Sequence, residues 1–510
     1  MVYRGRPSRG CEACRKASVK CDEKRPGCSR CLRLKKSCDG YRKVDELRVL
    51  DETGRTRSKC LQRRHGRETR LNPLMVDLML GPMSKDAVVW YFYYSTMATL
   101  TELDHSYHIH SELPKMYTSS HAESALCLST QAIAHAAASR AGKSTLRNAR
   151  RSYGLAISAL NITLQDPRQA VADETLYAVL LLCGYETITC DSDKLTGWTA
   201  HVRGAAALLV HRSRQRSMGG FGAKLYQFAR RSIIMCHMQT GTPATIPSSL
   251  FRGSLPPDEN AVDQLFSLMS RLSEIQHSLQ GGSVSGSAKQ RKFVGELRAE
   301  TRSLQRDFLH WQANLSPAWR YNVLQNLHHT DSGESEDREF VLVQLHRYPD
   351  TYTARLWNLY RTSRIILYFV MDRVPHDTKT DATATSHLSS NGPARFEVLH
   401  LVSDICASVP YLLGQDPTSW KPARVSGMDS QRKRSFTIPN QTNGQDRSHS
   451  LLWPLYVASG VDFIPEPQRA WISRQIESMA ESGEPLASRL VDRQSQTLRG
   501  GTEPFAFDCV

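Results

Sequence analysis

A chain of 510 residues is long enough for about three domains, and 40% hydrophobic residues leaves room for sizeable loops around them. The formal charge of +16 is unevenly placed: residues 1–70 hold 22 Lys/Arg against 9 Asp/Glu, a net +13, so the other 440 are close to neutral. No apolar run, residues 177–183 and 365–371 among them, approaches the ~20 residues of a membrane span. The asymmetry describes a basic arm that meets nucleic acid, joined to an ordinary body, with a merely solvated tail as the plain alternative.

The chain opens with a basic tail, residues 1–10, without the apolar stretch of a secretory signal. Six cysteines follow within residues 11–38: Cys11, Cys14, Cys21, Cys28, Cys31 and Cys38, or C-x2-C-x6-C written twice. A C-x2-C pair brings two thiolates to one tetrahedral zinc, and the third cysteine closes the turn. Each half supplies three sulfurs where a closed site takes four, so two zincs on six thiolates require two bridging sulfurs. Three disulfides are the rival reading, suited to a small secreted domain rather than to a long chain with basic residues among its cysteines. The seven remaining cysteines, Cys60 to Cys509, lack paired spacing and read as reduced thiols of an intracellular protein.

Residues 10–42, GCEACRKASVKCDEKRPGCSRCLRLKKSCDGYR, resemble the fungal zinc binuclear-cluster (Zn2Cys6) transcription factors. The resemblance implies that Cys11 and Cys28 bridge the metals, that Cys14 and Cys21 complete one zinc, and that Cys31 and Cys38 complete the other. Pro26 matches the proline of the loop between halves, where a fixed φ helps the chain reverse. A short helix over residues 12–19 and a second after Cys28 are expected. The resemblance places residues 15–20 against the major groove of double-stranded DNA, where guanine O6 and N7 accept from Lys or Arg. Arg15 and Lys20 match phosphate-holding positions; Lys16, Ser18 and Lys20 are the candidates for facing the groove, with Lys16 for a base edge and Ser18 for a phosphate or a base edge, and Lys24 completes the DNA-facing set. The family commonly has two basic residues before Val19; this chain has Ala17 and Ser18, which puts the usual CGG-type half-site in question.

Residues 39–85 read as a basic linker, with clusters at Arg55, Arg57, Arg63, Arg64 and Arg67 that suit nuclear import. Val44, Leu47 and Leu50 give barely one heptad, so no zipper is expected there. Monomeric binding and homodimerisation through the body are both compatible with that.

From residue 86 to 485 apolar residues recur three and four apart, as in Trp198, Val202, Ala205 and Leu209 or Ile472, Ile476 and Met479. The body therefore reads as all-α. Residues 197–209, 356–367 and 451–459 resemble the fungal-specific transcription factor domain that accompanies the zinc cluster; Trp198, Trp357 and Trp453 within them read as core anchors. Residues 281–287, 331–339, 377–393 and 417–449 have loop composition, the last including Arg432 and Arg434 of a second candidate import signal. Residues 486–510 read as a C-terminal tail.

Catalytic signatures are scarce. Residues 137–144 imitate a phosphate loop, yet Ala137 stands where its first glycine belongs. Asp104, His105, His108 and His110 are close enough in sequence to suggest a metal, though short-spaced histidines without a fourth orienting ligand are usually surface residues. No G-x-S-x-G, H-E-x-x-H or dinucleotide fingerprint occurs. The reading is a nuclear, zinc-dependent, sequence-specific regulator of RNA polymerase II transcription that meets the transcription machinery, and not an enzyme. A zinc-stabilised nuclear interaction protein without specific DNA readout is its alternative.

Overall fold

The computed structural model describes residues 10–41, 85–99, 109–189, 196–213, 220–240, 261–280, 288–325, 340, 342–374, 392–414 and 445–492. The chain divides into two units at residue 77. Among its described residues the first holds two short helices, α1 (Glu12–Lys16) and α2 (Ser29–Arg33). Its centre is sulfur: Cys11, Cys14, Cys28 and Cys31 are buried, with Ala13, Val19 and Tyr41 packed around them.

The second unit is helical, with α3 (Lys85–Thr99), α4 (Leu113–Ser119), α5 (Ala125–Arg140), α6 (Leu146–Thr163), α7 (Pro167–Ala170), α8 (Asp173–Thr189), α9 (Thr196–Ser213) and α10 (Phe221–Thr240) in its first half. The second half holds α11 (Ala261–Gln280), α12 (Ala288–Ala313), α13 (Thr351–Arg373), α14 (Pro393–Leu412), α15 (Gln445–Ser459), α16 (Glu466–Glu481) and α17 (Pro485–Asp492). Among the described residues the only strands are β1 (Asn322–Gln325) and β2 (Gln344–Arg347), an antiparallel pair with Asn322 opposite Arg347.

Helix starts are written locally. Ser124, Thr145, Asp166 and Asp350 each accept a backbone N–H of the first turn they cap. Helix α6 buries only Ala149, Ser152, Ala156 and Leu160, a stripe three and four residues apart that marks a surface helix. Helix α5 is instead buried along most of its length, packed by α3, α6 and α8. Gly184 of α8 lets that packing close: a Cβ there would stand 2.6 Å from Ile133 Cδ1.

Two apolar cores result. The first runs from Val88 to Cys236, the second from Ile234 to Leu490. Helix α10 belongs to both, giving Ile233 and Cys236 to one and Ile234 and Met238 to the other. Helix α13 is the centre of the second, packed by α11, α12, α14 and α15.

The three expected stretches fall on α9, α13 and α15. Trp357 and Trp453 are buried core residues and Trp198 packs half-buried on the first core. The body extends past residue 485, where a tail was expected, because α17 buries Ala487 and Leu490. Two expected loops are shorter than their composition suggested. Pro393 starts α14 and Gln445 starts α15, proline being well suited to a first helical turn. The loops at 281–287 and 331–339, the cluster at 432–434 and the partial heptad at 44–50 lie outside the described residues.

Candidate metal centre and nucleic-acid interface

The C-x2-C pairs lie on the starts of α1 and α2. Cys11 and Cys28 are the residues just before each helix, and Cys14 and Cys31 sit one turn in. Cys11 Sγ lies 3.8 Å from Cys28 Sγ and from Cys31 Sγ, and Cys14 Sγ lies 3.7 Å from Cys28 Sγ. The six sulfurs form two overlapping groups of four, each with all its ligand atoms within 4.8 Å of one another. One is Cys11, Cys14, Cys21 and Cys28; the other is Cys11, Cys28, Cys31 and Cys38. Cys11 and Cys28 belong to both.

Geometry separates the two sequence readings. A disulfide requires sulfurs about 2.0 Å apart, and all six thiols are free. Four sulfurs at about 2.3 Å from a tetrahedral zinc stand about 3.8 Å from one another, which is the spacing observed.

The local electrostatics point the same way. The Cys28 sulfur beside it, with burial, pushes Cys31 up to about 12, and burial with crowding by Cys28 also raises Cys14. Backbone N–H groups of Cys11 and Glu23 hold Cys21 down to about 7, and those of Cys28 and Gly40 lower Cys38. Donors are thus aimed at sulfurs that repel one another as thiolates, a conflict that a cation within each group relieves.

Both helices end earlier than residues 12–19 suggested. Ser18 takes a left-handed φ of +52°; its N–H bonds the Arg15 carbonyl while the Val19 N–H bonds Cys14. These paired bonds stop α1 at Lys16 and turn Val19 back onto the sulfurs. The second half repeats the turn: Lys35 has φ +50°, with Lys35 N–H on Leu32 and Lys36 N–H on Cys31. No glycine announces either stop.

Of the predicted DNA-facing residues, Lys16, Ser18, Lys20 and Lys24 are exposed. Arg15 is half-buried, its Nε without a hydrogen-bond partner among the described residues. Lys16 Nζ lies 3.3 Å from Glu12 Oε1, a surface pair that shares its charge. Lys24 is held through its carbonyl, which accepts from the Tyr41 hydroxyl at 2.5 Å, while the Arg25 guanidinium covers that ring. Asp22 accepts the Ser29 N–H, anchoring the loop to the start of α2.

His110 bonds the Tyr177 hydroxyl at 2.9 Å, and burial lowers its pKa to about 4; Asp104, His105 and His108 lie outside the described residues. Residues 137–144 are the end of α5, closed by Gly142 at φ +68° and by a Lys143 N–H bond to Ala138. Ser144 there bonds His135.

A sulfur cluster of this geometry defines a zinc-cluster protein rather than a disulfide-stapled one. Residues 9–46 match the family described as the fungal Zn(2)-Cys(6) binuclear cluster domain, and residues 92–318 match the fungal specific transcription factor domain. Transcription factor dbaG of Emericella nidulans is 26% identical over 178 residues, 35% of this chain and 39% of that protein. White-opaque regulator 2 of Candida albicans is 46% identical over 46 residues, 9% of this chain and 10% of that protein. An uncharacterized transcriptional regulatory protein of Schizosaccharomyces pombe is 47% identical over 38 residues, 8% of this chain and 7% of that protein. The chain therefore spans about two fifths of the first relative's length and about a tenth or less of the other two. No solved structure matches it. The chain thus matches, in two separate regions, both of the domains that fungal Zn(2)-Cys(6) transcription factors carry.

Proposed function

We propose that this protein is a nuclear, sequence-specific DNA-binding regulator of RNA polymerase II transcription. Residues 11–38 hold two zincs, with Cys11 and Cys28 shared, Cys14 and Cys21 completing one site, and Cys31 and Cys38 the other. The metals supply the folding energy that so small a core lacks. Filled in this way, neither zinc keeps an open position for water, so the centre is structural and the protein is not an enzyme. Arg15 and Lys20 hold phosphates, Lys16 and Ser18 approach base edges in the major groove, and Lys24 adds charge beside them. Residues 39–85 serve as the basic linker. The helical body, from about 86 through the last packed helix, serves regulation, homodimerisation and contact with the transcription machinery.

The observation that carries the reading is the pair of overlapping four-sulfur groups within a segment holding nine Lys/Arg and three Asp/Glu. That excess releases counterions on binding a duplex and makes affinity strongly salt-dependent. The test is selection of random DNA duplexes by the zinc-loaded full chain, beside a Lys16→Ala/Lys20→Ala variant. One enriched G/C-containing motif, weakened in the variant, is expected. Salt-sensitive retention with no enriched motif would instead favour a zinc-stabilised interaction protein.

A further inference from the structure

The turn that closes α1 carries a pattern that DNA binding alone leaves unused. Residues 15–19 read Arg-Lys-Ala-Ser-Val, with a guanidinium three residues and an ammonium two residues before a hydroxyl. Protein kinases with acidic substrate grooves select serines by cations at those two positions. Ser18 is exposed, follows a helix of only five residues, and sits at the tip of the turn with its left-handed φ of +52°. Two backbone bonds close that turn, Ser18 N–H to the Arg15 carbonyl and Val19 N–H to the Cys14 carbonyl, each at 3.0 Å. A kinase takes its substrate as an extended segment, so these two bonds must open, a step confined to the turn. Lys16 is held only by its exposed pairing with Glu12, which yields readily to a better acidic partner. The same Arg-Lys-x-Ser order recurs once in the chain, at residues 432–435, outside the described residues.

We propose that Ser18 is a phosphorylation site and that its phosphate releases the zinc module from DNA. The inference rests on the DNA-binding reading above and adds a means of regulating that same surface. In the transfer, Ser18 Oγ attacks the γ-phosphorus of ATP held by the kinase. The new O–P bond forms as the bond to the departing ADP breaks, and the hydroxyl proton passes to the catalytic aspartate of the kinase. The product carries close to two negative charges at neutral pH. Nine Lys/Arg against three Asp/Glu leave residues 11–38 at +6, and six thiolates on two zincs reduce that to about +4. One phosphate then removes about half of what draws the module to a duplex. The added charge also falls between Arg15 and Lys20, the two residues assigned to DNA phosphates. It repels the duplex there and competes for the same cations by charge-assisted hydrogen bonds.

The test treats the zinc-loaded full chain with MgATP and the catalytic subunit of a cyclic-AMP-dependent protein kinase. A Ser435→Ala background removes the second Arg-Lys-x-Ser serine, and Ser18→Ala in that background is the control. Phosphate is mapped by mass spectrometry, zinc is counted, and affinity for the motif selected from random duplexes is measured before and after treatment. The expected result is phosphate on Ser18, unchanged zinc, and a roughly ten-fold or greater loss of affinity that a phosphatase reverses. Each chain is compared with itself, so the kinase should leave the affinity of Ser18→Ala where it was, whatever that affinity is. Ser18 left unmodified, or modified with affinity unchanged, would overturn the proposal and leave the DNA-binding function standing. Zinc released on modification would overturn it too, because the loss of binding would then report unfolding. An untreated chain that selects no motif would fail the DNA-binding reading itself and take this inference with it.

Discussion

Arg140 and Glu484 meet across 344 residues of sequence: the guanidinium donates to Glu484 Oε2 at 3.0 Å and to the Gly483 carbonyl at 3.3 Å. The carboxylate is almost wholly buried, its side chain 1% exposed, with this cation beside it. Arg140→Ala should therefore destabilise the body by about 3 kcal/mol, and Glu484→Gln, which leaves no buried charge, by less. All eight tryptophans lie at or beyond residue 90, so urea unfolding followed by their fluorescence reports on the body alone. Equal midpoints for wild type and Arg140→Ala would show the pair to be dispensable.

The shared sulfurs make the cysteines unequal. Cys28→Ala removes a ligand common to both four-sulfur groups, whereas Cys21→Ala removes one from a single group. Metal analysis should find Cys28→Ala stripped of zinc and Cys21→Ala retaining part of its metal. Two zincs per chain in Cys28→Ala would disprove the bridging assignment.

Arg361 is the most deeply embedded charge of the second core. Its guanidinium donates to the Tyr348 hydroxyl at 2.7 Å and to Asn358 Oδ1 at 2.9 Å, with Asp404 Oδ2 3.5 Å from Nε. The rings of Tyr321 and Trp357 lie against it, with centroids at 5.0 and 5.5 Å. Arg361→Met keeps the stem but takes the arginine charge from Asp404, leaving it beside His346 and His400, and a loss of about 3 kcal/mol is expected. The double variant Arg361→Met/Asp404→Leu should recover much of it. No recovery would mean that the aromatic contacts, not the ion pair, set the cost.

Two of the buried histidines show the origin of an acid limb, to which His110 and His201, each lowered by burial to about 4, also contribute. Burial, and to a lesser degree Arg203, holds His237 down to about 4; burial, then Arg361 and His400, holds His346 at about 3. Asp404 lies 3.6 Å from His346 and favours its protonation, but desolvation and Arg361 outweigh it. In the unfolded chain both rings titrate near 6.5. Their contribution is complete above that pH and is lost as pH falls toward 4 and then 3, by about 1.4 kcal/mol per unit and ring. The tryptophan-detected urea midpoint should be level from pH 8 to 7 and descend below 6.5. A midpoint unchanged down to pH 4.5 would exclude neutral burial of these rings.

What the sequence disclosed follows from how local each signal is. The sulfur groups were readable because C-x2-C-x6-C repeats and zinc fixes the ligand count. The all-α body was readable from its spacing, and the tryptophans at 357 and 453 from their apolar surroundings. The stops of α1 and α2 were not, because Ser18 and Lys35 adopt a left-handed φ that no glycine advertises. The correspondence of those two residues appears only once both turns are seen closed by the same bonds. The Arg361 network was equally silent: it joins β2, α13 and α14 through residues whose charges look ordinary in isolation. Pro485–Asp492 was misjudged because its Ala487 and Leu490 make too short a stripe to signal packing by periodicity.

Helix α10 is a party wall between two rooms. Ile233 and Ile234 are neighbours in sequence, yet each hangs on a different side of it. Neither side can be refurnished in private, since a rotation of the wall that makes space in one room takes space from the other.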